Sequence, residues 1–181
     1  MATTLIRNIK TLAGILPIDK KRLAGEEMKH IETIDDAWIL IDGEKIKDFG
    51  SERSLSPEGS LPEADTIIDA HGGIVLPSFC DSHTHIVFAD SREGEFVDKI
   101  QGLSYEEIAK RGGGILNSAD RLHCLTEDEL YAQAIVRVRE VISKGTGCIE
   151  IKSGYGLTTD DELKMLRVIR RIKNDFPLVV R

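Results

Sequence analysis

Cysteine is scarce and scattered in this chain. Cys80, Cys124 and Cys148 are three thiols with no C-x-x-C pair among them. That pattern excludes a disulfide framework and a cysteine-built zinc site, and it suits reduced thiols in the cytoplasm. An excess of positive charge is missing as well: 24 Lys and Arg stand against 31 Asp and Glu, a net charge of −7 with a pI of 5.3. Such a balance argues against nucleic acid and against an anionic membrane as partner. No apolar run approaches the roughly 18–20 residues of a membrane span. The opening MATTLIRNIKTLAG lacks the basic segment, apolar core and small-residue cleavage site of a signal peptide. Gly112-Gly113-Gly114 is followed by no Gly-Lys-Ser/Thr, which excludes a phosphate-binding loop. What is present is ordinary for a globular protein with a core: 181 residues, 41% hydrophobic and 30% charged.

The first part of the chain reads as strands. Residues 3–12 and 37–50 carry the pattern, and Asp42-Gly43 between WILI and EKIKDF predicts a two-residue hairpin. Residues 17–32 read as a charged surface loop that includes His30, and residues 51–64 as a Ser/Pro/Glu loop. A further strand is expected over residues 66–70, with His71 at the surface and Gly72-Gly73 as a break. Together these predict a small β-sandwich-like domain over residues 1–70, which must find further strands or a packing partner.

After residue 71 the pattern turns to α/β. Ser104-Tyr-Glu-Glu107 is a capping box for a short helix that stops at the three glycines. Thr126-Glu-Asp-Glu129 is a second, opening a long helix with Leu130, Ala134, Val138, Val141 and Ile142 on one face and Gly145 at its end. GCIEIK (147–152) reads as a strand. Thr159-Asp-Asp-Glu162 is a third capping box, with Leu163, Leu166, Ile169 and Ile172 expected on the buried face. Pro177 precedes the start of a new apolar strand, LVVR. Strand, helix, strand, helix, strand predicts a parallel sheet. Because the chain stops inside an apolar strand, it is expected to be the first part of a longer domain.

Chemistry concentrates in LPSFCDSHTHIVFAD (76–90). Residues i and i+2 of a strand share a side, so His83 and His85 can aim two imidazoles at one point, a geometry suited to a divalent metal. Glu150 alternates with Ile149 and Ile151 and is expected to face the other way and pair with another polar residue; Lys152 is read as an ion-pair partner. Cys124 beside His123 is not a dyad, because sequence neighbours face apart.

The context Asp69-Ala-x-Gly72, Val75-Leu-Pro77 and Asp81-x-His83-x-His85 resembles the first barrel strand of the metal-dependent amidohydrolase superfamily. With Phe88-Ala-x-Ser91-Arg92-Glu93-x-Glu95-Phe96, Gly102-x-Ser-Tyr105, Gly112-Gly-Gly-Ile115 and Glu150-Ile-Lys-Ser-Gly-Tyr155-Gly-Leu157, the chain resembles the imidazolonepropionase family over residues 65–181. It departs at Asp90, where many members have glycine, and at Ser78 and Cys80.

The resemblance implies a small N-terminal β domain followed, over residues 71–181, by the first βα units of a truncated (β/α)8 barrel, a fold of about 250 residues when whole. It implies hydrolysis of the cyclic amide of 4-imidazolone-5-propanoate to N-formimidoyl-L-glutamate in histidine degradation. It implies His83 and His85 as ligands of one zinc or iron ion, and Arg92 and Tyr155 as substrate-binding residues. Arg92 would hold the propionate with its permanently charged fork. It further implies a small-molecule substrate, a homodimeric whole protein, and remaining metal ligands, a histidine and an aspartate, beyond Arg181. The 181-residue chain alone is therefore expected to be inactive and to bind metal weakly.

Overall fold

The apolar residues near the N-terminus build a long strand, β1 (Thr3–Ile15), that organises a five-stranded sheet. This computed structural model describes residues 2–17, 19–55 and 59–181. β1 pairs antiparallel with β2 (Glu32–Asp42), which turns back as β3 (Lys45–Ser51). The hairpin closes one residue later than expected. Asp42 pairs with Lys45, and Gly43, inside the loop, takes a φ of 60° that a residue without a Cβ adopts freely. β4 (Thr66–Asp69) and β5 (Ile74–Val75) both run parallel to β1, β4 against its first half and β5 against its second.

Alternation along β2 sends Trp38 and Leu40 to one face, where Leu5 joins them, and Ala37 and Ile39 to the other, with Ile9 and Leu12. Each face thus has its own small core. Ile6, Ile9, Leu12 and Ile15 all reach the second cluster although successive members alternate in parity. Register shifts between Ile6 and Ile9 and between Ala13 and Ile15, with left-handed backbone at Asn8 (φ 55°) and Gly14 (φ 82°), re-aim the strand at the first and last of the three steps; the step from Ile9 to Leu12 carries no shift. The segments read as surface loops contain two 3-10 turns, Gly25–Lys29 and Glu52–Ser54, with no buried residue. Residues 56–58 of the second loop lie outside the described residues.

The chain divides into two units, Met1–Pro77 and Ser78–Arg181. Residues 71–77, assigned to the second domain from the sequence, go with the first unit, because β5 is a partner of β1. Among the described residues the first unit is one sheet rather than two facing ones.

The second unit is mixed α/β. β6 (Phe79–Thr84), β7 (Thr146–Ile151) and β8 (Val179–Val180) form a parallel sheet in that order. Between β6 and β7 lie α1 (Glu93–Ile100), α2 (Tyr105–Lys110), α3 (Ile115–Cys124) and α4 (Glu127–Ser143); α5 (Thr159–Asp175) connects β7 to β8. The capping boxes at Ser104/Glu107 and Thr126/Glu129 form as the sequence requires. α4 buries Leu130, Ala134 and Val138 against Ile149, Ile151 and Val180 of the sheet. Each buried leucine, valine or isoleucine side chain is worth roughly 1.5–3 kcal/mol of transfer free energy, and the alanine methyl less.

Two readings change. α5 is capped by Thr158, whose hydroxyl accepts the Asp161 N–H, one residue before the expected cap. Its buried face is Met165, Val168, Ile169 and Ile172, while Leu163 and Leu166 are about half exposed. α1 and α3 were not anticipated; α1 buries no side chain completely, and α3 only Ala119 and Leu122.

Candidate active site

The parallel sheet delivers its polar side chains at strand ends. His83 stands on β6 and His85 one residue beyond it, after a register irregularity between Asp81 and Thr84. Their ring centroids are 5.3 Å apart and the planes cross at 64°. Thr84, between them, turns the other way and donates to the Glu150 carbonyl at 2.8 Å, locking β6 to β7 at the level of the histidines. The Asp81 carboxylate accepts the His83 backbone N–H. His85 Nδ1 is buried with no hydrogen-bond partner among the described residues. Two adjacent imidazoles and one unsatisfied ring nitrogen fit part of a metal's donor set, since a buried polar atom without a partner is costly. No cluster of three or more His, Cys, Asp or Glu able to hold a metal occurs among the described residues.

Tyr155 lies in the loop after β7, and its ring stands edge-on to His85 with centroids 5.1 Å apart. Arg92 occupies the N-cap position of α1, its side chain making no capping hydrogen bond. A cavity of about 270 Å³ brings these residues together: His85, Phe88, Ser91, Arg92, Ser118 and Tyr155 line it. A larger hollow of about 1030 Å³ shares Phe88 and Ser91 but has no histidine in its wall. The smaller cavity therefore gathers three of the four expected site residues, His85, Arg92 and Tyr155, with His83 alongside His85.

Acidic and basic side chains to which the sequence reading gave no role at the site support these positions. Glu95, one turn into α1, binds the Arg92 guanidinium with one oxygen and the Gly114 N–H, at 2.8 Å, with the other. The ion pair with Arg92 holds the Glu95 carboxyl below the usual range, and Glu95 in turn raises Arg92. Glu162 accepts from the N–H groups of Gly154, Gly156 and Leu157 at 2.7, 2.7 and 3.1 Å. Arg137 of α4 donates to the carbonyls of Ile86 and Phe88 at 2.8 and 3.1 Å and stacks 3.5 Å above the Phe88 ring. It thereby fixes the backbone that leaves His85.

Among the described residues Asp161 is the one charged residue in the core, 3% exposed. It contacts His123 Nδ1 at 2.9 Å, Lys164 Nζ at 3.0 Å and the Thr158 hydroxyl at 2.9 Å. His123 first and Lys164 second pull its carboxyl down to about 2 against the cost of burial. Lys164 also donates to the carbonyls of Leu122 and Leu125, so α3, the turn into α4, and α5 meet at one buried charge pair. His123 thus engages Asp161, not Cys124. Lys152 is an ion-pair partner, as expected, but its partner Glu150 lies only two residues away and both side chains are more than a third exposed, so the buried interior pair expected of Glu150 does not form; the hydrogen bond from Lys152 lowers the Glu150 pKa. His30 and His71 are exposed.

Glu162 and Asp161 are marked in the sequence by their place at a helix start, which equally suits plain caps. Glu95 stands three residues after Arg92, an ion-pair spacing on a helix, whereas Arg137 carries no local signal, since its partners depend on where α4 folds.

No family model matches the chain. The imidazolonepropionase of Christiangramia forsetii is 52% identical over 179 residues, covering 99% of this chain and 43% of that protein. Among solved structures, Escherichia coli guanine deaminase superposes with a TM-score of 0.63 at 14% identity, over 99% of this chain and 35% of that one. An atrazine chlorohydrolase variant from Arthrobacter aurescens, solved with zinc and atraton, superposes at 0.52 and 18% identity over 98% of this chain and 34% of its own. These structural likenesses show the fold, that of the amidohydrolases. No helix among the described residues is long and apolar enough to cross a membrane. By sequence the chain belongs with the imidazolonepropionases, spanning about two-fifths of the length of the relative it matches.

Proposed function

We propose that the protein carrying this chain is an imidazolonepropionase. It adds water across the ring amide of 4-imidazolone-5-propanoate and releases N-formimidoyl-L-glutamate. The observation that carries this reading is a cavity lined by His85, Arg92 and Tyr155, three of the four residues the family resemblance assigns to metal and substrate. We read β6, β7 and β8 with α4 and α5 as the opening units of a (β/α)8 barrel, whose working residues lie at the C-terminal ends of strands.

His83 and His85 would hold one divalent ion, zinc or iron. When bound, it supplies a Lewis acid for the ring carbonyl and brings the pKa of water toward about 7. Arg92 binds the propionate: Glu95 occupies part of its guanidinium, which has five donors, and fixes its direction. Tyr155 lies against His85 and orients the ring beside the imidazoles. Phe88, clamped by Arg137, gives the cavity an apolar wall that limits water around the reacting amide. The whole protein would act as a homodimer in the cytoplasm, where the free thiols of Cys80, Cys124 and Cys148 stay reduced.

The test is a chimera in which these 181 residues replace the matching segment of the C. forsetii relative, assayed for N-formimidoyl-L-glutamate. We expect turnover, and we expect Arg92→Met to lower kcat/KM by about 100-fold while leaving metal content unchanged. A folded, metal-loaded chimera inert toward this substrate overturns the reading. Activity on another cyclic amide or on an aminated ring would instead assign a different amidohydrolase reaction.

A further inference from the structure

The loop after β7 places Tyr155 against His85, yet little of that loop is held by regular structure. Gly154 has a φ of 121° and Leu157 a φ of 58°, so its backbone folds through two left-handed residues. Such a turn points its N–H groups inward, and three of them, from Gly154, Gly156 and Leu157, converge on the carboxylate of Glu162. Gly156 permits the approach, since a Cβ there would lie 2.7 Å from the Glu162 nitrogen and 2.7 Å from the Asp161 Cβ. Burial works against the Glu162 charge, but hydrogen bonds from Ser153 and from the three amides outweigh it, and its pKa is lowered. The preceding carboxylate, Asp161, ties the same helical turn to His123 of α3, and its ion-pair partner Lys164 reaches the Leu122 and Leu125 carbonyls. The first turn of α5 therefore grips the loop on one side and the helical layer on the other.

We propose that Glu162 is a positioning residue for Tyr155: its carboxylate mounts the Tyr155 loop on α5 and so sets the place of the phenol ring against His85. The proposal rests on the reading of Tyr155 as a substrate-contacting residue, but its test needs no substrate. In the metal-free 181-residue chain at fixed neutral pH, the ring current of Tyr155 displaces the carbon-bound proton resonances of His85, and Tyr155→Ala supplies the reference position without it. Glu162→Ala should move the His85 resonances more than half of the way toward that reference. Glu162→Gln, whose amide oxygen accepts fewer of the N–H groups, should fall between. The methyl resonances of Met165 and Ile169 should stay in place in both.

His85 resonances unchanged in a folded Glu162→Ala chain would overturn the proposal. A second measurement covers a variant that does not fold. In the unaltered chain the amides of Gly156 and Leu157 should exchange with solvent at least about tenfold more slowly than unprotected ones. Exchange at the unprotected rate overturns the proposal equally. If the resonances move as expected while the chimera of the preceding subsection is inert, the positioning role stands and the substrate reading falls.

Discussion

At the residue scale, the charge inside the protein is the most exacting contact. Asp161 loses its acidity only near pH 2, whereas an unfolded aspartate does so near its ordinary value of 3.8. A depressed carboxyl stabilises the fold at pH values above the unfolded pKa. That contribution is lost as the pH falls from about 4 through about 2. Asp161→Asn should cost about 3 kcal/mol at neutral pH, because it leaves the Lys164 ammonium buried beside a neutral group. The variant should also show a flatter acid limb between pH 4 and 2 in urea melts at several pH values. An acid limb identical to that of the parent would mean that the carboxylate is not the group lost. Arg137 is the second such residue. Replacing it with methionine should cost about 2–3 kcal/mol, since two carbonyls lose a charged donor. Neither residue could be read as special in advance. A lysine, an arginine or an aspartate in a helix is ordinarily a solvated side chain, and only tertiary packing buries Asp161 and half-buries Lys164 and Arg137. His83 and His85 were legible because two residues apart on a strand is already a geometry.

At the scale of elements, local chemistry was readable wherever the partners are close in sequence. The capping boxes of α2 and α4 satisfy themselves within four residues and formed as expected. The start of α5 was ambiguous because Thr158-x-x-Asp161 and Thr159-x-x-Glu162 offer the same pattern. The tie is broken by the loop before it, whose amides claim Glu162. That shift rotates the buried face. Met165→Ala should accordingly cost roughly 2–5 kcal/mol, whereas Leu166→Ala should cost about 0.5 kcal/mol or less. Chemical denaturation of the two variants decides between the faces, and the reverse ranking would restore the one expected from the sequence. Asn8 gives a parallel test in the sheet. Its left-handed backbone tolerates glycine, but Asn8→Val should cost about 1–3 kcal/mol, read by the same melts. α1 and α3 escaped notice because neither opens on a side-chain cap: Arg92 and Gly114 stand at their N-cap positions and make no capping hydrogen bond.

At the scale of the molecule, the sheet of the second unit is covered on one side. Ile149 and Val180 pack under α4 and α5, while their neighbours Cys80, Cys148 and Val179 form a register row on the opposite face. Val179 is 52% exposed, and Phe79, which begins β6, is 60% exposed. The 181-residue chain should therefore bind a hydrophobic dye and associate as its concentration rises, and Val179→Lys should weaken both effects. A sharply monomeric, protease-resistant chain would count against this. With two imidazoles and no third donor in a cluster among the described residues, the same chain should hold less than one metal ion per molecule and show no turnover. Turnover with about one ion per chain would mean that the missing donors are supplied from within these 181 residues or by a second copy.

The triplet spacing of Ile6, Ile9, Leu12 and Ile15 has an evolutionary corollary. A strand that counts in twos can be copied into another sheet and keep its inside and outside; β1 cannot. Grafted into a flat ladder, it would send alternate members of that set into water. Its one-residue insertions at the bulges act like frameshifts that correct the pleat, so a deletion at Asn8 would damage the far end of the strand more than the site of the change.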